Sequence, residues 1–345
     1  MVIGIPHCHS KPDVNFDMKT SQCLPSLLPG KWSMLTALVL LSHVAFPQNV
    51  DRTLSIIAYN IQMLPLIISA HQKDRIHYIA PKMIAYDIVV FSEVFEDKMR
   101  AFLIKDMKKT FPYYTNVLAH NKENSEGCKC LCLNGGVIIF SKYPIVEEDQ
   151  KQYYKTVCQS FFDSERTHEK SQACRGPDCF SQKGVVYAQV VKSGFKYHVF
   201  GSHAQASYKS KEKYQGPREK QFNILNAFIN QKVINKNEPV IIAGDLNVDK
   251  LSTPAEFDNM LRLLNSVQPT YKLGPNYTIN PIEVCLAEEA PEYLDYILFR
   301  KDHKLPSHST IETKLIRCEK PYRKKRTFCD ALSDHFPVVC QSRFD

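Results

Sequence analysis

Eight short apolar runs, each carrying a polar or ionisable group at or beside its end, constrain this chain more than any other feature. They are LSIIAYN (54–60), DIVVFSEV (87–94), GGVIIFS (135–141), KGVVYAQVV (183–191), KYHVFGSH (196–203), PVIIAGDLN (239–247), EYLDYILF (292–299) and HFPVVCQ (335–341). Their length and their Val, Ile, Tyr and Phe content predict buried strands. Between them, apolar residues recur at helical spacing: Met99, Phe102, Leu103 and Met107, then Phe222, Leu225, Phe228 and Ile229. Thr253-Pro254-Ala255-Glu256 reads as a capping box with proline at the first helical position, opening a helix through Phe257, Met260, Leu261 and Leu264. Strands and helices interleave without repeat or linker, so residues 48–345 are expected to form one α/β domain. The aperiodic stretch 149–182, which holds three cysteines, reads as a disulfide-tied excursion.

Residues 1–47 differ in kind. Met34 to Phe46 reads MLTALVLLSHVAF, preceded by Lys31 and followed by Pro47 and Gln48. Such a run fits the h-region of a secretory signal and falls short of the ~20 residues that span a bilayer. A buried core helix is the structural alternative. Residues 1–47 are therefore expected to be a leader, and the domain behind it to be secreted. Removing the leader takes away Cys8, Cys23 and the single tryptophan, Trp32, and leaves ten of the twelve cysteines. An even count behind a signal points to disulfides in an oxidising compartment. The clustered Cys128, Cys130 and Cys132 lack the paired spacing of common zinc sites. Asn276-Tyr277-Thr278 is a candidate glycosylation sequon in that compartment.

The chemistry gathers at the strand ends. Asn60 ends the first run, Glu93 follows IVVFS, His203 follows HVFGS, Asp245 and Asn247 follow VIIAG, and Asp334-His335 precedes FPVV. Carboxylates, amides and histidines without thiolate suit a hard, oxygen-preferring cation such as Mg2+. Singly, each has a plainer reading: an acidic strand end is more often a turn former, and a lone histidine a structural residue. Their joint occurrence, in this order, favours chemistry. The net charge of +8, 44 Lys and Arg against 36 Asp and Glu, suits an anionic partner but is too dispersed to mark a nucleic-acid binder.

Taken together, YNIQML (59–64), SEVFE (92–96), GGVIIFSKYPI (135–145), GSHAQA (201–206), AGDLNV (243–248), EYLDYIL (292–298) and SDHFPV (333–338) resemble the endonuclease/exonuclease/phosphatase superfamily. Within it, the resemblance is to secreted bacterial-type neutral sphingomyelinases, and it runs from Leu54 to Val339. GDLN with SDH carries the superfamily; YNIQML, SEVFE and EYLDYI favour sphingomyelinase over nuclease. The resemblance implies an α/β, DNase-I-like fold: a four-layer sandwich of two packed mixed sheets flanked by helices. It implies Glu93 as the principal Mg2+ ligand with Asn60 alongside, and Mn2+ or Co2+ as substitutes. Asp245 and Asn247 would orient phosphate, nucleophile and metal, and Asp295 would be a further polar contact. Asp334 would hold His335, the general base, and His203 would contact the phosphoryl oxygens. The implied reaction is cleavage of membrane sphingomyelin to ceramide and phosphocholine by a monomer that needs no nucleic acid. A secreted DNase-I-like nuclease is the alternative enzyme, and a non-catalytic binding descendant of the fold the alternative class.

Some positions depart from the family pattern. Leu133-Asn134 stands where an acidic residue usually helps form a second metal site, and His203-Ala204-Gln205 where His-Leu-Gln is usual. No cysteine lies between Cys179 and Cys285, so the bacterial disulfide cannot form in its usual place. The segment Cys318 to Cys329 reads CEKPYRKKRTFC. Its Tyr322, Arg323, Lys324, Lys325, Arg326 and Phe328 would form a basic membrane-contact hairpin, stapled if Cys318 pairs with Cys329; a solvated loop is the plainer reading. Any choline site in the domain must use Tyr or Phe, since no Trp remains after the leader.

Overall fold

A computed structural model describes residues 51–65, 71–119, 133–154, 173–208, 211–285, 290–324 and 327–345. The chain divides into Met1–Gln48, which lies outside the described residues, and Asn49–Asp345. Each of the eight apolar runs contributes a strand: β1 (Thr53–Met63), β2 (Ile88–Val94), β4 (Ile138–Ser141), β6 (Gly184–Lys192), β7 (Phe195–His203), β8 (Val240–Asp245), β11 (Asp295–Arg300) and β15 (Val338–Arg343). Seven further strands are β3 (Tyr113–Tyr114), β5 (Ile145–Gln152), β9 (Ser266–Val267), β10 (Tyr271–Leu273), β12 (His308–Thr313), β13 (Arg317–Lys324) and β14 (Thr327–Ala331). The helices are α1 (Gln72–Met83), α2 (Asp97–Met107), α3 (Glu212–Gln231) and α4 (Pro254–Leu263).

The strands form a seven-stranded sheet in the order β10-β12-β15-β1-β2-β4-β3 and a six-stranded sheet in the order β5-β6-β7-β8-β11-β9. Both sheets are mixed: β1–β2 and β7–β8 run parallel, while β1–β15 and β8–β11 run antiparallel. Strand alternation assigns the layers. Leu54, Ile56 and Ala58 of β1 join one core with Val199, Ile242 and Ile297 of the second sheet. Their neighbours Ile57, Tyr59 and Ile61 face a second core with Ile76 and Ile79 of α1 and Met99 and Leu103 of α2. Phe222, Leu225, Phe228 and Ile229 of α3, with Met260 of α4, cover the outer face of the six-stranded sheet. The result is the expected four-layer sandwich.

Several local expectations need correcting. The capping box at Thr253 is not made: Thr253 Oγ1 donates back to the Asp249 carbonyl (2.8 Å), and Arg218 takes the Glu256 carboxylate (2.6 and 3.0 Å). Residues 149–152 belong to β5, an edge strand exposed along most of its length. The excursion behind it is tied by Cys174–Cys179, while Cys158, like Cys128, Cys130 and Cys132, lies outside the described residues. Cys329 pairs with Cys285, not with Cys318. The β13–β14 register shifts between Arg317 and Tyr322, so Cys329 stands opposite Tyr322, and the buried Cys318 thiol donates to the Lys320 carbonyl (3.2 Å). Cys340 is likewise a buried thiol in β15.

Candidate active site

Asp245, at the end of β8, is the hub. In the second sheet its cross-strand partners are His203 on β7 and Asp295 on β11. The first sheet brings up Asn60 from β1, Glu93 from β2, and His335 from the turn before β15. Asn60 Nδ2 donates to Asp245 Oδ2 (2.9 Å) across the two sheets. The Asn247 amide donates to Asp245 Oδ1 (3.0 Å), and Asn247 Nδ2 to the Ala204 carbonyl (3.1 Å). His203 Nε2 lies 3.6 Å from Asp245 Oδ2 and 3.8 Å from Glu93 Oε1. His335 Nε2 lies 3.8 Å from the same Asp245 oxygen. Gly244 makes the approach of β7 and β8 possible: its φ is +137°, and a Cβ there would sit 2.0 Å from the Ser202 carbonyl oxygen.

The partner of His335 differs from the one expected. Asp295 Oδ2, not Asp334, accepts from His335 Nδ1 (2.8 Å), which leaves Nε2 facing Asp245. Asp334 is held instead by Gln62 Nε2 (2.5 Å). The reason is geometric: Asp295 opens β11 beside Asp245 in the second sheet and meets the His335 turn from there, while Gln62 at the end of β1 takes up Asp334. Burial presses the His335 pKa down, but the Asp295 and Asp245 carboxylates outweigh it and hold the group well above its ordinary value.

The carboxylates show the opposite strain. Burial, reinforced by the Asp334 charge, pushes Glu93 up to about 7, and burial with the Asp295 charge pushes Asp245 up to about 7. One oxygen of Asp295 is buried without a hydrogen-bond partner. Two triads, Glu93–His203–Asp245 and Asp245–Asp295–His335, bring their ligand atoms within 4.8 Å of one another. Crowded acidic groups, an orphaned carboxylate oxygen and an oxygen-rich donor set fit a divalent cation, which removes the repulsion that keeps these groups from ionising.

His203 is flanked by a buried lysine. Lys183 Nζ sits 3.0 Å from His203 Nε2, and the same ammonium donates to Asp178 (2.6 Å) and the Ala204 carbonyl (2.8 Å). Burial first, then the Lys183 and His335 charges, hold the His203 pKa well below its ordinary value. Burial and the neighbouring charges both disfavour the charged imidazole, and Lys183 Nζ stands beside its Nε2. Sequence reading missed Lys183, Asp178 and Gln62. A lysine opening an apolar run was the available signal for Lys183, and Gln62 lies within the YNIQML motif; nothing marked Asp178. Asn134 Oδ1 accepts from the Gly136 amide (2.8 Å) while its Nδ2 donates to the Phe95 carbonyl (3.0 Å), so this side chain shapes a turn.

Of the membrane-contact residues, Phe328 is 77% exposed on β14. Tyr322 points inward instead: it stacks on His71 at 5.0 Å, and its hydroxyl donates to the Ala331 carbonyl (2.9 Å). Lys325 and Arg326 lie outside the described residues, as do the side chains of Arg323 and Lys324. Asn276 is exposed and accepts from Lys272. No helix among the described residues is long and apolar enough to cross a membrane.

Comparison with known proteins agrees with this geometry. The chain is 32% identical to a sphingomyelinase C of Leptospira interrogans over 85% of its length, and spans about half of that longer relative, 52%. It is 32% identical to a phospholipase C of Staphylococcus aureus, with 85% of this chain and 88% of that one covered. Among solved structures, a mutant of Staphylococcus aureus beta toxin with bound magnesium ions superposes with a TM-score of 0.72 at 29% identity, covering 85% of this chain and all of the other. The Endonuclease/Exonuclease/phosphatase family pattern matches residues 57–335, which hold every group gathered around Asp245, and the chain belongs to that family.

Proposed function

We propose that the chain is a Mg2+-dependent sphingomyelin phosphodiesterase that releases ceramide and phosphocholine at a membrane surface. The observation that carries it is the meeting, on Asp245, of an Asp295–His335 pair with Glu93, Asn60 and Asn247, in a chain whose relatives are named sphingomyelinase C and phospholipase C. Glu93 and Asp245 would hold the cation, with Asp334, whose charge acts on Glu93, completing the acidic lining. When bound, Mg2+ supplies Lewis-acid stabilisation of the phosphoryl oxygens.

The residues do the rest. Asp295 fixes the His335 ring so that Nε2 faces Asp245, where it takes the proton of the attacking water. Neutralising part of the carboxylate charge returns the imidazole towards its ordinary pKa, so that it can act as a base. Asn60 and the Asn247 amide fix both oxygens of Asp245, which orients the nucleophile and phosphate. Lys183 adds fixed positive charge behind His203. The leader at 1–47 and the disulfides Cys174–Cys179 and Cys285–Cys329 support secretion.

The test is purified protein with sphingomyelin liposomes and, separately, duplex DNA, each with Mg2+ and with EDTA. Phosphocholine release only with Mg2+, abolished by His335→Ala, is the expected result. DNA cleavage would identify a nuclease instead, and inactivity on both would sink the enzyme reading.

A further inference from the structure

Thr278 belongs to neither large sheet, yet it is fully buried and ties together the two segments that carry the Asp295–His335 pair. Its Oγ1 accepts from the amides of Leu294 (2.9 Å) and Asp295 (3.3 Å). Its own amide donates to the Glu292 carbonyl (2.8 Å). Its carbonyl accepts from the Phe336 amide (2.6 Å). One residue therefore binds the backbone at Asp295 and the backbone immediately after His335. The imidazole–carboxylate bond between them is 2.8 Å, a spacing that a small relative shift of the two segments would break.

We infer that Thr278 is a positioning residue for the Asp295–His335 pair: its hydroxyl and carbonyl hold the two partners at hydrogen-bond distance. The inference rests on the proposed role of His335 as general base. The hydroxyl is needed as an acceptor. Both amides it serves are buried, and without the oxygen they lose their partner, so the Asp295 backbone must move to find another. The segment is braced from beneath by a small apolar cluster of Val284, Cys329, Ala331 and Phe336, with Tyr277 packed against it. Thr278 is also the third residue of the Asn276 sequon, and its hydroxyl has this structural duty whether or not Asn276 carries sugar.

The experiment compares wild type, Thr278→Ser, Thr278→Val, Asp295→Asn and the Thr278→Val/Asp295→Asn double variant on sphingomyelin vesicles and on the soluble diester bis(p-nitrophenyl) phosphate. The imidazole N–H proton resonance of His335, identified by its loss in His335→Gln, is recorded alongside. Thr278→Val is expected to lower kcat by about ten- to a hundredfold at nearly unchanged KM, the scale of a small misplacement of a reacting group. Thr278→Ser should stay within about twofold of wild type, because it keeps the acceptor. In the Asp295→Asn background, Thr278→Val should cost less than about threefold, since coupled residues are not additive. The His335 resonance should move in Thr278→Val and not in Thr278→Ser. A folded Thr278→Val with wild-type kcat and resonance, or with equal losses in both backgrounds, overturns the inference. If Thr278→Val does not fold, Thr278→Cys, close in size and a weak acceptor, replaces it with the same expectations. If wild type cleaves neither diester, the proposed function fails, and the resonance alone decides the role of Thr278.

Discussion

Glu93, Asn247 and Gln62 all have left-handed backbone, with φ of 59°, 55° and 48°. Two lie in the proposed metal and phosphate site and the third holds Asp334. Such conformations cost on the order of 1 kcal/mol or more for a residue with a Cβ, and they persist where the surroundings impose them. Glu93→Gly should therefore be more stable than Glu93→Ala by about 1 kcal/mol, while both lose metal-dependent activity; thermal melts of the two variants check it. The raised carboxylates give a second prediction. A cation binds their ionised forms, and Glu93 and Asp245 both sit at about 7, so protons compete below that pH. Apparent Mg2+ affinity, measured calorimetrically, should fall about tenfold or more per unit between pH 7 and 5 and be flat above pH 8. In the metal-free protein the sign is reversed: the stability these two groups confer is present below the ordinary carboxylate range and lost as pH rises through 7.

Among the elements, strands buried on both faces were legible because they read as unbroken apolar runs; β2 and β8 are the clearest. β5, IVEEDQKQ, was not, because an edge strand facing water carries no apolar signal and is held by its pairing to β6. α1 was hidden by its polar composition and by Pro81 in its last turn, yet Arg75 on it donates to the carbonyls of Ile61, Gln62 and Leu332. The site was legible as a list of strand ends. Its pairings were not, since whether Asp295 or Asp334 meets His335 depends on which strands face across the two sheets. The β13–β14 hairpin shows the same division: its basic and aromatic content was readable, its staple was not. Cys285–Cys329 closes a separation of 44 residues, for which chain entropy gives about 4 kcal/mol. The Cys285→Ser/Cys329→Ser variant should lose about 2–4 kcal/mol in denaturant titrations, with activity on a soluble diester largely kept at low temperature. Phe328→Ser should weaken partition to sphingomyelin vesicles by about tenfold, the scale of burying one aromatic ring, and leave soluble-substrate turnover unchanged.

At the scale of the whole molecule, the candidate site lies where the ends of two sheets meet, and its groups are far apart in sequence: Asn60 and Asp245 are 185 residues apart, Gln62 and Asp334 272. Neither sheet alone holds a complete set. β15 is central to this arrangement, because it pairs with β1 on one side and β12 on the other and directly follows the His335 turn. Deleting residues 338–345 should abolish the cooperative unfolding transition seen by circular dichroism, not merely lower its midpoint, because the cut passes through the middle of the seven-stranded sheet. Placing that strand at the centre also bears on when the molecule can exist. β1 finds β2 within the first hundred residues, but its other neighbour, β15, is the last described strand to be synthesised, so the seven-stranded sheet is completed only when residues 338–343 are available. Until those residues are in place the strands on either side of β15 stay in two separate groups, and the His335 turn lacks the strand that anchors it.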